Sequence, residues 1–204
     1  MVKKSERKEG YVRKGKSVLV EPIRNVEDVE RIKALLKGRP RDLLLFVMGI
    51  NNGLRIGDLL GLRVGQVRHL KAGDFVTITE GKTGKQNVLA VNKPVHRALK
   101  GYLNNAKLAD YDYLFCSTKA TTTRKPISVQ RAHMLVKDWT RKAGLKGNYG
   151  THTLRKTFGY IQRTQFGVGF EVLAKRFNHS SPAFTMRYVG VGDAEVSDIL
   201  MHEI

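Results

Sequence analysis

VRHLKAGDFVTITEGKTGKQNVLAV, residues 67–91, breaks an otherwise helical chain with short alternating runs, and its reading decides the fold class. Its pieces VRHL (67–70), DFVTIT (74–79) and NVLAV (87–91) read as three strands. Gly73 punctuates the first turn, and GKTGK (81–85) the second. On either side the apolar spacing lengthens to that of helices. NVEDVERIKALLKG (25–38) opens on Asn25 as an N-cap, lines up Val29, Ile32 and Leu36 on one face, and ends at Gly38 before Pro40. RDLLLFVMGINN (41–52) forms a second helix that stops at Gly53, and IGDLLGL (56–62) a short third. Further helices are expected over about 94–106, 127–143, 152–165, 169–177 and 182–189. The expected fold class is α+β, mainly helical, with a small three-stranded antiparallel sheet at one edge.

Composition narrows the function classes. A chain of 204 residues with 41% hydrophobic content can bury a real core, and its 37 Lys and Arg against 18 Asp and Glu leave a net charge of +19. Such an excess points to a polyanion, and nucleic acid releases counterions when its phosphates are neutralised. No stretch approaches the roughly 20 apolar residues of a membrane span, and no apolar segment follows the basic N-terminus. The chain is therefore expected to be soluble and cytoplasmic, in a prokaryotic cell or encoded by a phage. Residues 1–16 hold seven Lys or Arg and two Glu, so residues 1–20 read as a basic flexible arm. Cys116, in the apolar run YLFCS, is expected to be a buried and inert thiol.

Several polar residues stand out against this frame. Arg55 follows the Gly53 stop, with Asp58 three residues on, where a carboxylate can hold a guanidinium. Lys82 projects from the hairpin turn EGKTGK (80–85). His152 and Arg155, in THTLRKTF (151–158), share one face at a helix N-terminus, where an anion is welcome. In FNHSSPAFTMRYVG (177–190), His179 precedes Ser181 and Pro182, an N-cap and first helical residue, and Tyr188 falls two turns into the helix. Each residue alone has an ordinary structural explanation. Together they make the inventory that phosphoryl transfer to a tyrosine needs. A phenol with a pKa near 10 needs a base or a strongly positive pocket, arginine forks neutralise phosphate oxygens, and a lysine can protonate the departing oxygen. That chemistry calls for no cofactor and no metal.

The segments GLRIGDLLGL, EGKTGKQNVLAV, THTLRKTF and NHSSPAFTMRYVG resemble, in order and spacing, the catalytic domain of the tyrosine recombinase (phage integrase) family. The resemblance implies a DNA-cleaving and rejoining enzyme working through a 3′-phosphotyrosyl intermediate without metal or ATP. It implies Arg55, Lys82, His152, Arg155, His179 and Tyr188 as the catalytic set, with Asp58 supporting. Lys82 would be the general acid toward the 5′ oxygen, His152 would assist the tyrosine proton, Arg55 and Arg155 would clamp the phosphate, His179 would bond it, and Tyr188 would be the nucleophile. Residues 21–190 would form the catalytic domain, double-stranded DNA the partner, and a tetramer on two sites the working assembly. The tail 191–204, with Val196, Ile199 and Leu200 as an apolar stripe, would dock on a neighbouring subunit. Two features depart from the family pattern. Phe177 and Asn178 stand before His179 where a glycine is usual, and the chain leaves no room before the catalytic domain for a separate core-binding domain, as in an excised domain or a short recombinase. Rivals remain: a type IB topoisomerase or telomere resolvase, marked in the first case by supercoil relaxation without site preference; a DNA-binding regulator that kept the fold; and an RNA-binding protein.

Overall fold

The computed structural model describes residues 19–117 and 125–190. The helices are α1 (Val26–Leu35), α2 (Pro40–Asn52), α3 (Ile56–Leu60), α4 (Val64–Val67), α5 (Lys93–Leu103), α6 (Val129–Lys142), α7 (Thr151–Phe166), α8 (Phe170–Phe177) and α9 (Pro182–Val189). The strands β1 (Phe75–Thr79) and β2 (Gln86–Ala90) lie between α4 and α5. The basic arm, apart from residues 19 and 20, and the tail 191–204 lie outside the described residues.

α2 is the central helix. Pro40 supplies a pre-set φ in its first turn, and Leu44, Leu45, Phe46, Val47 and Met48 are all buried. Five buried residues in a row mean burial on every side. α5 and α7 flank α2, and Trp139 of α6 meets Phe46 edge to face with centroids 6.0 Å apart. Gly53 ends α2 in the left-handed conformation at φ 59, and this turn starts the path toward the site. A second, smaller apolar cluster joins Leu173 and Phe177 of α8 to Val189 of α9, with Phe158 and Tyr188 packed against it. Gly159 lets these helices close on α7, since a Cβ there would lie 2.8 Å from Val189 and 2.9 Å from Phe177.

The sheet has two strands and not three. β1 and β2 pair antiparallel from Phe75 with Ala90 to Thr79 with Gln86. The stretch expected as a first strand is instead the end of α4 and the turn after it. Val64, Val67 and Leu70 are all buried, a three-residue spacing that a helical turn satisfies and an alternating strand does not. Asn25 stands at the N-cap position with extended backbone, but its side chain makes no capping bond. Cys116 is buried, its thiol donating to the Tyr113 carbonyl at 3.0 Å. Among the described residues no helix is long and apolar enough to cross a membrane.

Candidate active site

Because the chain reverses at Gly53, Arg55 becomes the extended residue at the N-cap of α3, φ −67 and ψ 143. It is not part of the helix, so the expected pairing of Arg55 with Asp58 along one helical face does not form. Asp58 reaches across to the hairpin, where its Oδ1 accepts from the Gly81 N–H at 2.9 Å. The carboxylate beside Arg55 belongs to Glu80, whose Oε2 lies 2.5 Å from Nη1, a close ion pair without hydrogen-bond alignment.

Glu80 organises the turn. Its N–H donates to the Lys85 carbonyl at 2.9 Å, its carbonyl accepts from Gly84 at 2.8 Å, and Gly84 supplies the left-handed residue the reversal needs. The Glu80 carboxylate is fully buried, yet its pKa is lowered to about 2. Burial alone would raise it. Bonds from Thr83 and Asn87, with Arg55 and Asn178 beside them, more than offset that cost. Lys82 and Lys85 both project from the turn into solvent, and Lys82 is close enough to His152 to disfavour its protonated form.

α7 supplies the buried cation. Arg155 is 2% exposed, and its guanidinium donates from Nη1 to the Gly53 carbonyl and from Nη2 to the Phe177 carbonyl, each at 2.6 Å. Both acceptors lie at helix C-terminal ends, where the macrodipole is negative, so a buried charge finds compensation without a carboxylate. Desolvation brings its pKa down to about 10, which leaves it charged at neutral pH. One turn earlier, His152 places Nδ1 3.0 Å from the Tyr188 hydroxyl. Burial, then Arg155, Lys156, Lys82 and Arg55, hold the His152 pKa below its ordinary value.

α8 ends at Asn178 in the left-handed region, φ 51 and ψ 37. The replacement of the usual glycine therefore keeps the turn, which asparagine tolerates better than most residues. Asn178→Val is expected to lower stability by about 1–2 kcal/mol, with Asn178→Gly close to wild type, as urea unfolding midpoints will register. Past that turn the His179 N–H donates to the Ala174 carbonyl at 2.9 Å, and Nδ1 meets Thr185 Oγ1 at 2.9 Å. Burial and the two arginines push the His179 pKa down to about 4. Ser181 caps α9, accepting from Phe184 N at 3.1 Å, and Tyr188 follows half-buried, its ring 5.0 Å from His179 and 5.9 Å from Phe177. Burial raises the phenol pKa while Arg155 and Arg55 pull it down.

Tyr188 thus meets His152, Arg155 and His179 directly, while Arg55 acts on all four and Lys82 on His152 through charge. Three more residues of the site had no place in the sequence reading. Glu80 is one. Arg176 donates to the Asn52 carbonyl, Asn87 Oδ1 and the Val88 carbonyl, bolting α8 to α2 and to the hairpin. Lys156, 5% exposed, sets its ammonium 5.1 Å from the Tyr188 ring centre.

This arrangement on a mainly helical frame with one small hairpin is the tyrosine recombinase catalytic fold. A crystal structure of XerA recombinase superposes with a TM-score of 0.71 at 19% identity, over 91% of this chain and 67% of that one. XerH bound to palindromic difH in a post-cleavage complex superposes at 0.68 with 20% identity, over 86% and 51%. The chain belongs to the phage integrase family, whose model matches residues 25–195. "Probable integrase/recombinase YoeC" of Bacillus subtilis is 39% identical over 178 residues, which are 86% of this chain and 92% of that protein. Tyrosine recombinase XerA of Pyrococcus furiosus is 27% identical over 81% of this chain and 56% of its own length. The chain thus spans about half of this longer relative. Its enzyme class is that of the site-specific tyrosine recombinases.

Proposed function

We propose that the chain cleaves and rejoins double-stranded DNA through a 3′-phosphotyrosyl link on Tyr188. The observation that carries this reading is the Tyr188 hydroxyl held 3.0 Å from His152 Nδ1 beside the buried Arg155. Neutral His152 accepts the phenol proton as Oη attacks phosphorus. The new P–O bond to Tyr188 forms, the P–O5′ bond breaks, and Lys82 delivers a proton to the departing oxygen. Arg55 and Arg155 face the non-bridging oxygens, with His179 as a further donor. The link conserves the energy of the broken bond, so a 5′ hydroxyl from another strand reverses the step without ATP. The net charge of +19 supports a long contact with the DNA backbone, and exchange of four strands calls for a tetramer on two sites, with the tail docking between subunits.

A nicked duplex carrying the genomic attachment sequence tests the reading, because the short strand diffuses away after cleavage and traps the adduct for a denaturing gel. The pH dependence is specific. His152 is competent when neutral, and its lowered pKa keeps it neutral to below the ordinary 6.5. The acid limb of cleavage is therefore expected to be centred below pH 6.5. His152→Gln should flatten that acid limb in single-turnover measurements from pH 4.5 to 8. A wild-type acid limb centred above 6.5 would contradict the assignment.

A further inference from the structure

We infer that Glu80 is a positioning residue that sets the Lys82 turn against Arg55, so that one buried carboxylate registers the leaving-group acid with the phosphate clamp. The inference rests on the reading of the site as a DNA-cleaving centre. Three features carry it. Glu80 has no exposed surface, yet its carboxylate is held by the site's own framework: Oε1 accepts from Asn87 Nδ2 at 2.7 Å, Oε2 both accepts from Thr83 Oγ1 at 2.6 Å and meets Arg55 Nη1 at 2.5 Å, and the Asn178 side chain adds a further bond. The same oxygen therefore touches the residue next to Lys82 and the first arginine. Its backbone also opens and closes the turn, through Lys85 and Gly84.

A full charge is not needed merely to close a hairpin, because a neutral side chain could accept from Thr83 and Asn87. Burying a carboxylate is costly unless its charge is used. Here the charge restrains a guanidinium that is itself only 20% exposed, while Thr83 fixes the backbone from which the lysine projects. Lys82 has a long, flexible stem and an exposed base, so its reach to O5′ depends on where that backbone is held. Glu80 stays ionised throughout the working pH range, its pKa being about 2.

The test compares single-turnover cleavage of two nicked duplexes, one with oxygen and one with sulfur at the 5′ bridging position. A thiol has a pKa of about 8.5 and leaves without a proton, so a displaced general acid costs little on the sulfur substrate. Lys82→Ala calibrates that rescue. Glu80→Gln is expected to lose about tenfold or more in rate on oxygen, with a loss at least about threefold smaller on sulfur and no weakening of DNA affinity. Thr83→Val, on the exposed turn, should show the same sulfur-selective pattern and decides the matter alone if Glu80→Gln does not fold. Equal losses on both substrates, or no loss, would overturn the inference while leaving the cleavage reading intact. A wild type that cleaves neither substrate overturns the cleavage reading, and this inference with it.

Discussion

Tyr188→Phe is expected to remove covalent DNA adduct, by about 10⁴-fold or more in rate, while the fold and DNA affinity stay near wild type. The substitution deletes one oxygen. The ring keeps its packing, with Phe177 at 5.9 Å, His179 at 5.0 Å and Phe184 stacked at 6.3 Å, so the small apolar cluster of α8 and α9 survives. The hydroxyl's bonds to His152 and Arg155 are lost, at a stability cost of about 1 kcal/mol each. Backbone phosphate contacts depend on the remaining basic surface and are unchanged. Gel-shift titration beside the trapping assay separates the two properties. An adduct that persists in Tyr188→Phe would assign the nucleophile elsewhere.

Arg155→Lys should have the second largest effect, although it keeps the charge. The guanidinium spans two carbonyls, Gly53 and Phe177, that close different helices, and it does so with both terminal nitrogens. An ammonium is a point donor and cannot reach both while presenting a flat fork to a phosphate. One buried carbonyl is left unpaired, at a cost of about 1–3 kcal/mol. Cleavage should fall by about 10²–10³-fold, the range for losing one preorganised donor to a developing anion. Urea midpoints and single-turnover rates measured together are expected to show both losses. A variant that loses stability but cleaves at the wild-type rate would make Arg155 structural only.

Much of this site was legible because its residues sit at positions with strong local signals. Gly53 as a left-handed stop, Ser181 with Pro182 at the start of α9, and the face shared by His152 and Arg155 follow from capping and helical period. The sheet departs from the expected meander where those signals conflict: Val64, Val67 and Leu70 repeat at three residues, but Gly73 and the runs that follow invite a strand. The helical spacing that would pair Asp58 with Arg55 fails because Arg55 precedes the first turn of α3. Glu80 and Arg176 were less visible, since their partners lie in segments far away in the chain. One clue to Glu80 was nevertheless available. Strand alternation carries the inward face from Val76 through Ile78 to position 80, so a glutamate there points inside, and a buried carboxylate implies a cation. The burial of Arg155 itself had no local signature, as it depends on the helix ends that converge on it.

The role of Tyr188 is tested most directly by trapping the adduct on a nicked duplex, digesting it with nuclease and protease, and locating the modified residue by mass spectrometry. A 3′-linked nucleotide phosphate on the Tyr188 hydroxyl is the expected result. A phosphate mapped to any other side chain, or a break that leaves no covalent link to protein, would contradict it.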